Sequence, residues 1–382
     1  MTFCLAPYLG MTIDPKGWIN LCCNVTDREH FGVTISQIDD LTDFFVSSQY
    51  KKVRDQIKSV GMENIDGDIC RVCRLAREGG YQAEIDTYDL ETRRKHFSPV
   101  PTKIRYLEVT TSNTCNQTCV MCSSYFSTKW KSLESSFHNM DLDLDRGEGT
   151  DTFMMSEDDI NKIMKILPDL KILQIKGGEP FADKRNLRIA RELAKVNPDC
   201  ELTITSNFQK VSDEWFEVLS QLNNVCAGAS IDGIGQTFNW IRGGDFDEVE
   251  NNLLRFKNEV KPKALNVNSC ISVYNIFQMK EMWERYKGFN YNNYNVVTDP
   301  VYLKPGLFKK EQLWGIIHDQ FGTLDHPAIP SNLKNCSIIL EEEGEEKYKF
   351  RKKQFSWWTS RMNEVRGFDI FDLHPQLCDI FK

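Results

Sequence analysis

Beyond residue 105, short apolar runs alternate with stretches whose apolar residues recur at helical spacing. Residues 106–110, 172–176, 202–205, 225–231, 266–273 and 294–297 read as strands. Between them Ile160, Ile163, Met164 and Leu167 repeat behind a Ser156 cap, as do Trp215, Leu219 and Leu222, then Val249, Leu253 and Phe256. A strand–helix pair thus recurs about six times. Such alternation implies parallel strands joined by right-handed crossovers, either an α/β barrel, complete or partial, or an open doubly wound sheet. In both, ligands belong at the carboxyl ends of the strands. Ahead of this pattern Ser98-Pro99-Val100-Pro101 denies the backbone a helix and marks a domain boundary.

At 382 residues the chain is long enough for two or three packed units. Hydrophobic residues at 41% and charged residues at 27% are the balance of a globular protein rather than a disordered one. No apolar run approaches the length of a membrane span, and the first residues lack the basic start of a signal peptide, so a cytoplasmic protein is expected. A net charge of −8 argues against sequence-independent nucleic-acid binding. The acidic stretch Asp141, Asp143, Asp145, Glu148 and Asp151 reads as a solvated insertion, its spacing unlike an EF-hand.

Cysteine changes the picture. Thirteen of them without a secretion signal point to metal, cluster or thiol chemistry. Cys200, Cys226, Cys270, Cys336 and Cys378 stand singly and read as small buried hydrophobes. Cys115, Cys119 and Cys122 form C-x3-C-x2-C directly after the strand at 106–110. On a helix they would share one face and could simply pack. Asn113 and Asn116 favour a turn instead. Three thiolates on one compact loop can ligate three irons of a [4Fe–4S] cube and leave the fourth open, where a closed structural site would have four protein ligands.

That run, with Gly177-Gly178-Glu179-Pro180 downstream, resembles the radical S-adenosylmethionine (SAM) superfamily. Met121 stands where the family often has an aromatic residue, still apolar and able to lie against adenine. The resemblance implies a fourth iron chelated by SAM, and one-electron cleavage of SAM to methionine and a 5′-deoxyadenosyl radical that abstracts hydrogen from substrate. It assigns Gly177, Gly178 and Glu179 to the SAM amino group, and the strand end at Ser206 and Asn207 to the ribose. Ser230 and Arg242 are candidates for polar and carboxylate contacts to SAM, a guanidinium matching a carboxylate in bidentate fashion. Ser206 and Asn207 could equally be turn formers, and Arg242 an ion-pair partner.

Cys4, Cys22, Cys70 and Cys73 are two separated pairs that can close a four-thiolate site. Residues 13–19 read as a hairpin with a proline-glycine turn, which would bring Cys4 and Cys22 together. The spacing is similar to the Twitch modules, shortened SPASM domains that carry an auxiliary [4Fe–4S] cluster; in most relatives the module follows the barrel, and here it precedes it. Zinc suits the same four thiols, and Cys23 competes with Cys22 for one place.

The expected fold is α/β: a partial (β/α)6 TIM-type barrel over 99–300, a small cysteine-rich cluster-binding domain over 1–98, and a carboxyl-terminal extension over 301–382. The expected function is that of a radical SAM enzyme acting on a peptide, a protein or a small molecule. Its reductant would be a donor such as flavodoxin or ferredoxin. The rivals are a non-catalytic iron–sulfur carrier or redox sensor, and a zinc-stabilised binding scaffold. Six scattered histidines single out no catalytic acid or base.

Overall fold

The computed structural model describes residues 3–25, 31–61, 69–78, 83–88, 90–137, 152–330, 333, 336 and 338–382, so the acidic stretch at 141–151 lies outside the described residues. Among the described residues there are eight strands: β1 (Gly10–Ile13), β2 (Ile19–Asn20), β3 (Tyr106–Val109), β4 (Ile172–Ile175), β5 (Glu201–Ser206), β6 (Val225–Ser230), β7 (Ala264–Ile271) and β8 (Tyr291–Val296). The helices that matter for the site are α1 (Thr128–Phe137), α2 (Glu157–Ile166), α3 (Gln236–Arg242) and α4 (Glu345–Arg366). Every strand expected from the apolar pattern is there, with ends moved by up to three residues. The largest shift is at β8, where Tyr291, Asn292 and Asn293 extend the strand by pairing in parallel with Asn266, Val267 and Asn268. Backbone hydrogen bonds hold that polar start, so hydropathy could not reveal it.

By contacts the chain divides into two units, and the division runs through β5 and β6 themselves. The first comprises residues 1–114, 152–204 and 212–226. Its strands follow the order β2-β1-β3-β4-β5-β6. The hairpin expected at 13–19 forms: β1 and β2 are antiparallel, and the Asp14 carboxylate accepts from the backbone N–H of Lys16 and Trp18. β1 also pairs in parallel with β3, which the apolar pattern did not mark, because four residues are too few to show a period. Leu107, Leu173 and Leu202 are in register on one face and fully buried, with Val109, Ile175 and Ile204 two residues on. The opposite face carries polar groups: the Tyr106 hydroxyl donates to Gln174 at 2.6 Å and lies 3.1 Å from the Glu108 carboxylate, and Lys176 pairs with Glu108 at 3.1 Å. α2 begins with the expected cap, Ser156 Oγ accepting from the Asp159 N–H while the Asp159 carboxylate accepts from the Ser156 N–H.

The second unit comprises residues 115–151, 205–211 and 227–382, with strand order β5-β6-β7-β8. Residues of the 301–382 stretch share its core: Tyr302, Leu307, Phe355 and Trp358 pack with Trp130, Trp240 and Tyr274. Trp358 of α4 stacks on Trp130 of α1, centroids 5.7 Å apart at 26°. The fold is α/β with an unclosed parallel sheet, as a partial TIM-type barrel requires. Among the described residues no helix is long and apolar enough to cross a membrane.

Candidate active site

In the second unit Cys115, Cys119 and Cys122 lie on an irregular loop rather than a helix face. Two backbone bonds stitch the loop to the end of α3, from the Thr118 N–H to the Arg242 carbonyl (3.2 Å) and from the Val120 N–H to the Ile241 carbonyl (2.8 Å). A tight turn carries the Cys122 N–H to the Cys119 carbonyl, which also accepts from the Trp130 indole at 3.0 Å. Cys119 is buried; Cys115 and Cys122 are half-buried. Burial pushes the Cys119 thiol up in pKa, with the positive charge of Arg242 pulling the other way.

Arg242, at the last turn of α3, pairs with the buried Asp232 and donates through Nε to Gln117 at 3.0 Å. Burial opposes its charge, but Cys119 and Asp232 outweigh burial and hold the guanidinium above its ordinary pKa. Asp232 in turn accepts from the Cys270 N–H at 2.7 Å. Ser206 and Asn207 end β5: Ser206 Oγ accepts from the Phe208 N–H, and Asn207 Nδ2 donates to Asn116 Oδ1 at 2.7 Å. Asn207 is thereby tied to the cysteine loop. Ser230 is half-buried at the end of β6. Sequence reasoning gave Asn116 only a turn-forming role and gave none to Gln117, inside the cysteine run, or to Asp232, two residues past Ser230; a polar residue beside a ligand is the signal that was there to use.

In the first unit Gly177 and Gly178 both have positive φ, +82° and +48°. A Cβ on Gly177 would meet the Thr110 side chain at 2.1 Å, and one on Gly178 the Thr114 carbonyl oxygen at 2.2 Å. Thr114 immediately precedes Cys115, and its carbonyl accepts from the Glu179 N–H at 2.7 Å. Glu179 is buried and its carboxylate accepts from the Phe181 N–H. Gly178→Ala is expected to cost about 2–4 kcal/mol, combining left-handed strain with the carbonyl overlap. A urea midpoint within error of wild type would contradict this close approach.

The amino-terminal cysteines are also brought together in the first unit. Cys4 and Cys22 pack against Leu5, Tyr106 and Ile172, and Cys4 and Cys70 against Cys73, Ala83 and Ile85. Burial, then Cys4, Cys23 and Cys73, push the Cys22 thiol well up.

Among the described residues no group of three or more His, Cys, Asp or Glu is placed to hold a single metal ion. A cubane makes a different demand, one thiolate to each of three irons. The loop meets it in its donor set: three thiols within eight residues and, on the same loop, Asn116 Nδ2, a buried donor without a partner among the described residues. With the Arg242 guanidinium beside Cys119, these groups suit an anionic iron–sulfur cluster.

The family model of the Radical SAM superfamily matches residues 109–285. Over that stretch, a little under half of its length, the chain is similar to a radical SAM domain. Solved structures similar to it include native anSMEcpe with bound AdoMet, 19% identical at TM-score 0.39, covering 52% of this chain and 53% of that one. Streptococcus suis SuiB bound to S-adenosylmethionine is 16% identical at TM-score 0.37, covering 74% and 60%. SuiB bound to precursor peptide SuiA is 15% identical at TM-score 0.36, covering 84% and 70%. The matched part thus spans about half the length of anSMEcpe. No curated protein sequence matches the chain.

Proposed function

We propose that the chain carries a catalytic radical SAM domain, binding a [4Fe–4S] cluster through Cys115, Cys119 and Cys122 and SAM at the remaining iron. When bound, cluster and SAM supply a one-electron cleavage that yields a 5′-deoxyadenosyl radical able to abstract hydrogen from substrate. The observation that carries this reading is the cysteine loop itself, three thiols on one loop with Asn116, whose Nδ2 has no partner among the described residues, and the Arg242 guanidinium. Gly177 and Gly178 let the backbone approach the SAM amino group, and Glu179 gives that ammonium a carboxylate acceptor. Ser206, Asn207 and Ser230 end strands on the side where ligands bind and offer hydroxyl and amide groups to the ribose. Arg242, held by Asp232 and Gln117, presents positive charge to the SAM carboxylate and to the cluster. Electrons come from a small donor such as flavodoxin or ferredoxin.

The preferred substrate is a peptide or protein, with a small molecule as the alternative. One face of β7 and β8 carries Asn266, Asn268, Asn293 and Asn295, with Asn268 paired to Asn293, and Asn266 Oδ1 is buried without a partner among the described residues. Side-chain amides pair a donor with an acceptor, as a peptide group does. Anaerobic reconstitution followed by SAM and dithionite tests the enzyme against the iron–sulfur carrier. 5′-Deoxyadenosine formation is expected; a cluster without SAM cleavage would favour the carrier.

The amino-terminal thiols Cys4, Cys22, Cys70 and Cys73 would hold an auxiliary [4Fe–4S] cluster, a structural buttress or an electron relay. Four thiols drawn into one region, Cys73 buried and the other three half-buried, suit a metal centre, because a cation offsets the cost of several thiolates in one place. Cys70→Ala with Cys73→Ala should remove about four irons per chain. Loss of zinc instead would overturn the cluster in favour of a zinc site.

A further inference from the structure

Arg366 is the last residue of α4, in the carboxyl-terminal stretch to which the sequence assigned no role. Its guanidinium makes three hydrogen bonds, two to Thr118 of the cysteine loop and one to α3. One terminal nitrogen donates to the Thr118 hydroxyl at 2.9 Å, the other to the Thr118 carbonyl at 2.6 Å, and Nε donates to the Trp240 carbonyl at 2.6 Å. Thr118 lies between Cys115 and Cys119, and Trp240 lies on α3, whose end already stitches to Thr118 and Val120 through backbone bonds. The same helix reaches the loop a second way, since Trp358 stacks on Trp130 and the Trp130 indole donates to the Cys119 carbonyl. A planar fork with several donors fits this set of acceptors where a lysine ammonium, a compact point charge, does not. Thr118 cannot satisfy its carbonyl through a helix or a strand, because the loop that presents three thiols is neither.

We propose that Arg366 is a positioning residue for the cysteine loop, through which the carboxyl-terminal helix sets the loop's shape for cluster binding. This rests on the reading that Cys115, Cys119 and Cys122 hold a cluster, but the clamp itself concerns only side chains and backbone of this chain. Charge-assisted bonds to a carbonyl are strong enough that their loss opens a loop locally without unfolding the unit.

The test uses the full chain with Arg366→Gln and Arg366→Lys, read by hydrogen exchange before reconstitution and by iron release to a chelator after it. In Arg366→Gln the amides of Thr118 and Val120 should lose protection by about ten- to a hundredfold. Those of Ile271 and Val296 in the core should stay unchanged, and cluster iron should be released faster. Arg366→Lys should restore little of either, because it keeps the charge but not the fork. Wild-type exchange at Thr118 and Val120 in both variants would overturn the proposal, as would equal loss of protection throughout the unit, which marks general destabilisation. Should wild-type chain take up no cluster on the three cysteines, the proposed function fails, while exchange in the apoprotein still decides whether Arg366 clamps the loop.

Discussion

Replacing Cys115, Cys119 and Cys122 together by Ala is expected to abolish 5′-deoxyadenosine formation and to remove about four irons per chain while leaving unchanged whatever metal the amino-terminal thiols bind. The loss should be complete rather than graded. In the proposed site each thiolate would ligate a different iron, so no remaining ligand could substitute, and the chemistry would reside in the cofactor that the loop binds. The folded core should survive, since Trp130, Trp240 and Trp358 do not depend on the thiols for their packing. Iron analysis, product chromatography and near-UV circular dichroism on one preparation separate these effects. SAM cleavage that persists in the triple variant would place the chemistry elsewhere.

Asp232→Ala is expected to carry the largest stability cost of any single polar substitution near the site, about 3–5 kcal/mol by urea denaturation. The Arg242 and Asp232 side chains are only 11% and 2% exposed, so removing the carboxylate strands a guanidinium that cannot lose its proton. The Cys270 N–H loses its acceptor in the same step. Asp232→Asn separates the two contributions: it keeps an acceptor for Cys270 and removes the charge. If charge pairing dominates, Asn should recover little of the loss. A variant Asp232→Ala within about 0.5 kcal/mol of wild type, the range of ordinary surface substitutions, would show that Arg242 finds other partners.

What the sequence made legible is what depends on local pattern. Six strands, the Ser156 cap and the residue 13–19 hairpin all follow from periodicity and turn chemistry over a few residues. The C-x3-C-x2-C run and the glycine pair were conspicuous because spacing is a property of the chain alone. β1 was missed because a four-residue strand shows no period, and only its pairing with β3 makes it one. Gln117 lies inside the cysteine run and Asp232 two residues past Ser230, yet their support of Arg242 depends on side chains meeting across the fold. Arg366 had no local signal at all. It lies 248 residues from Thr118, in a stretch whose composition looks like a solvated charged helix, and its grip on the loop exists only once α4 has packed.

The most direct test of the account is the electron paramagnetic resonance spectrum of the reduced, anaerobically prepared chain with and without SAM, in the background of Cys70→Ala and Cys73→Ala so that a single cluster is observed. The account predicts a [4Fe–4S] signal whose g values change when SAM is added, because one iron is left by the three cysteines for SAM to bind. A signal unaltered by SAM, from a cluster with four protein ligands, would contradict it.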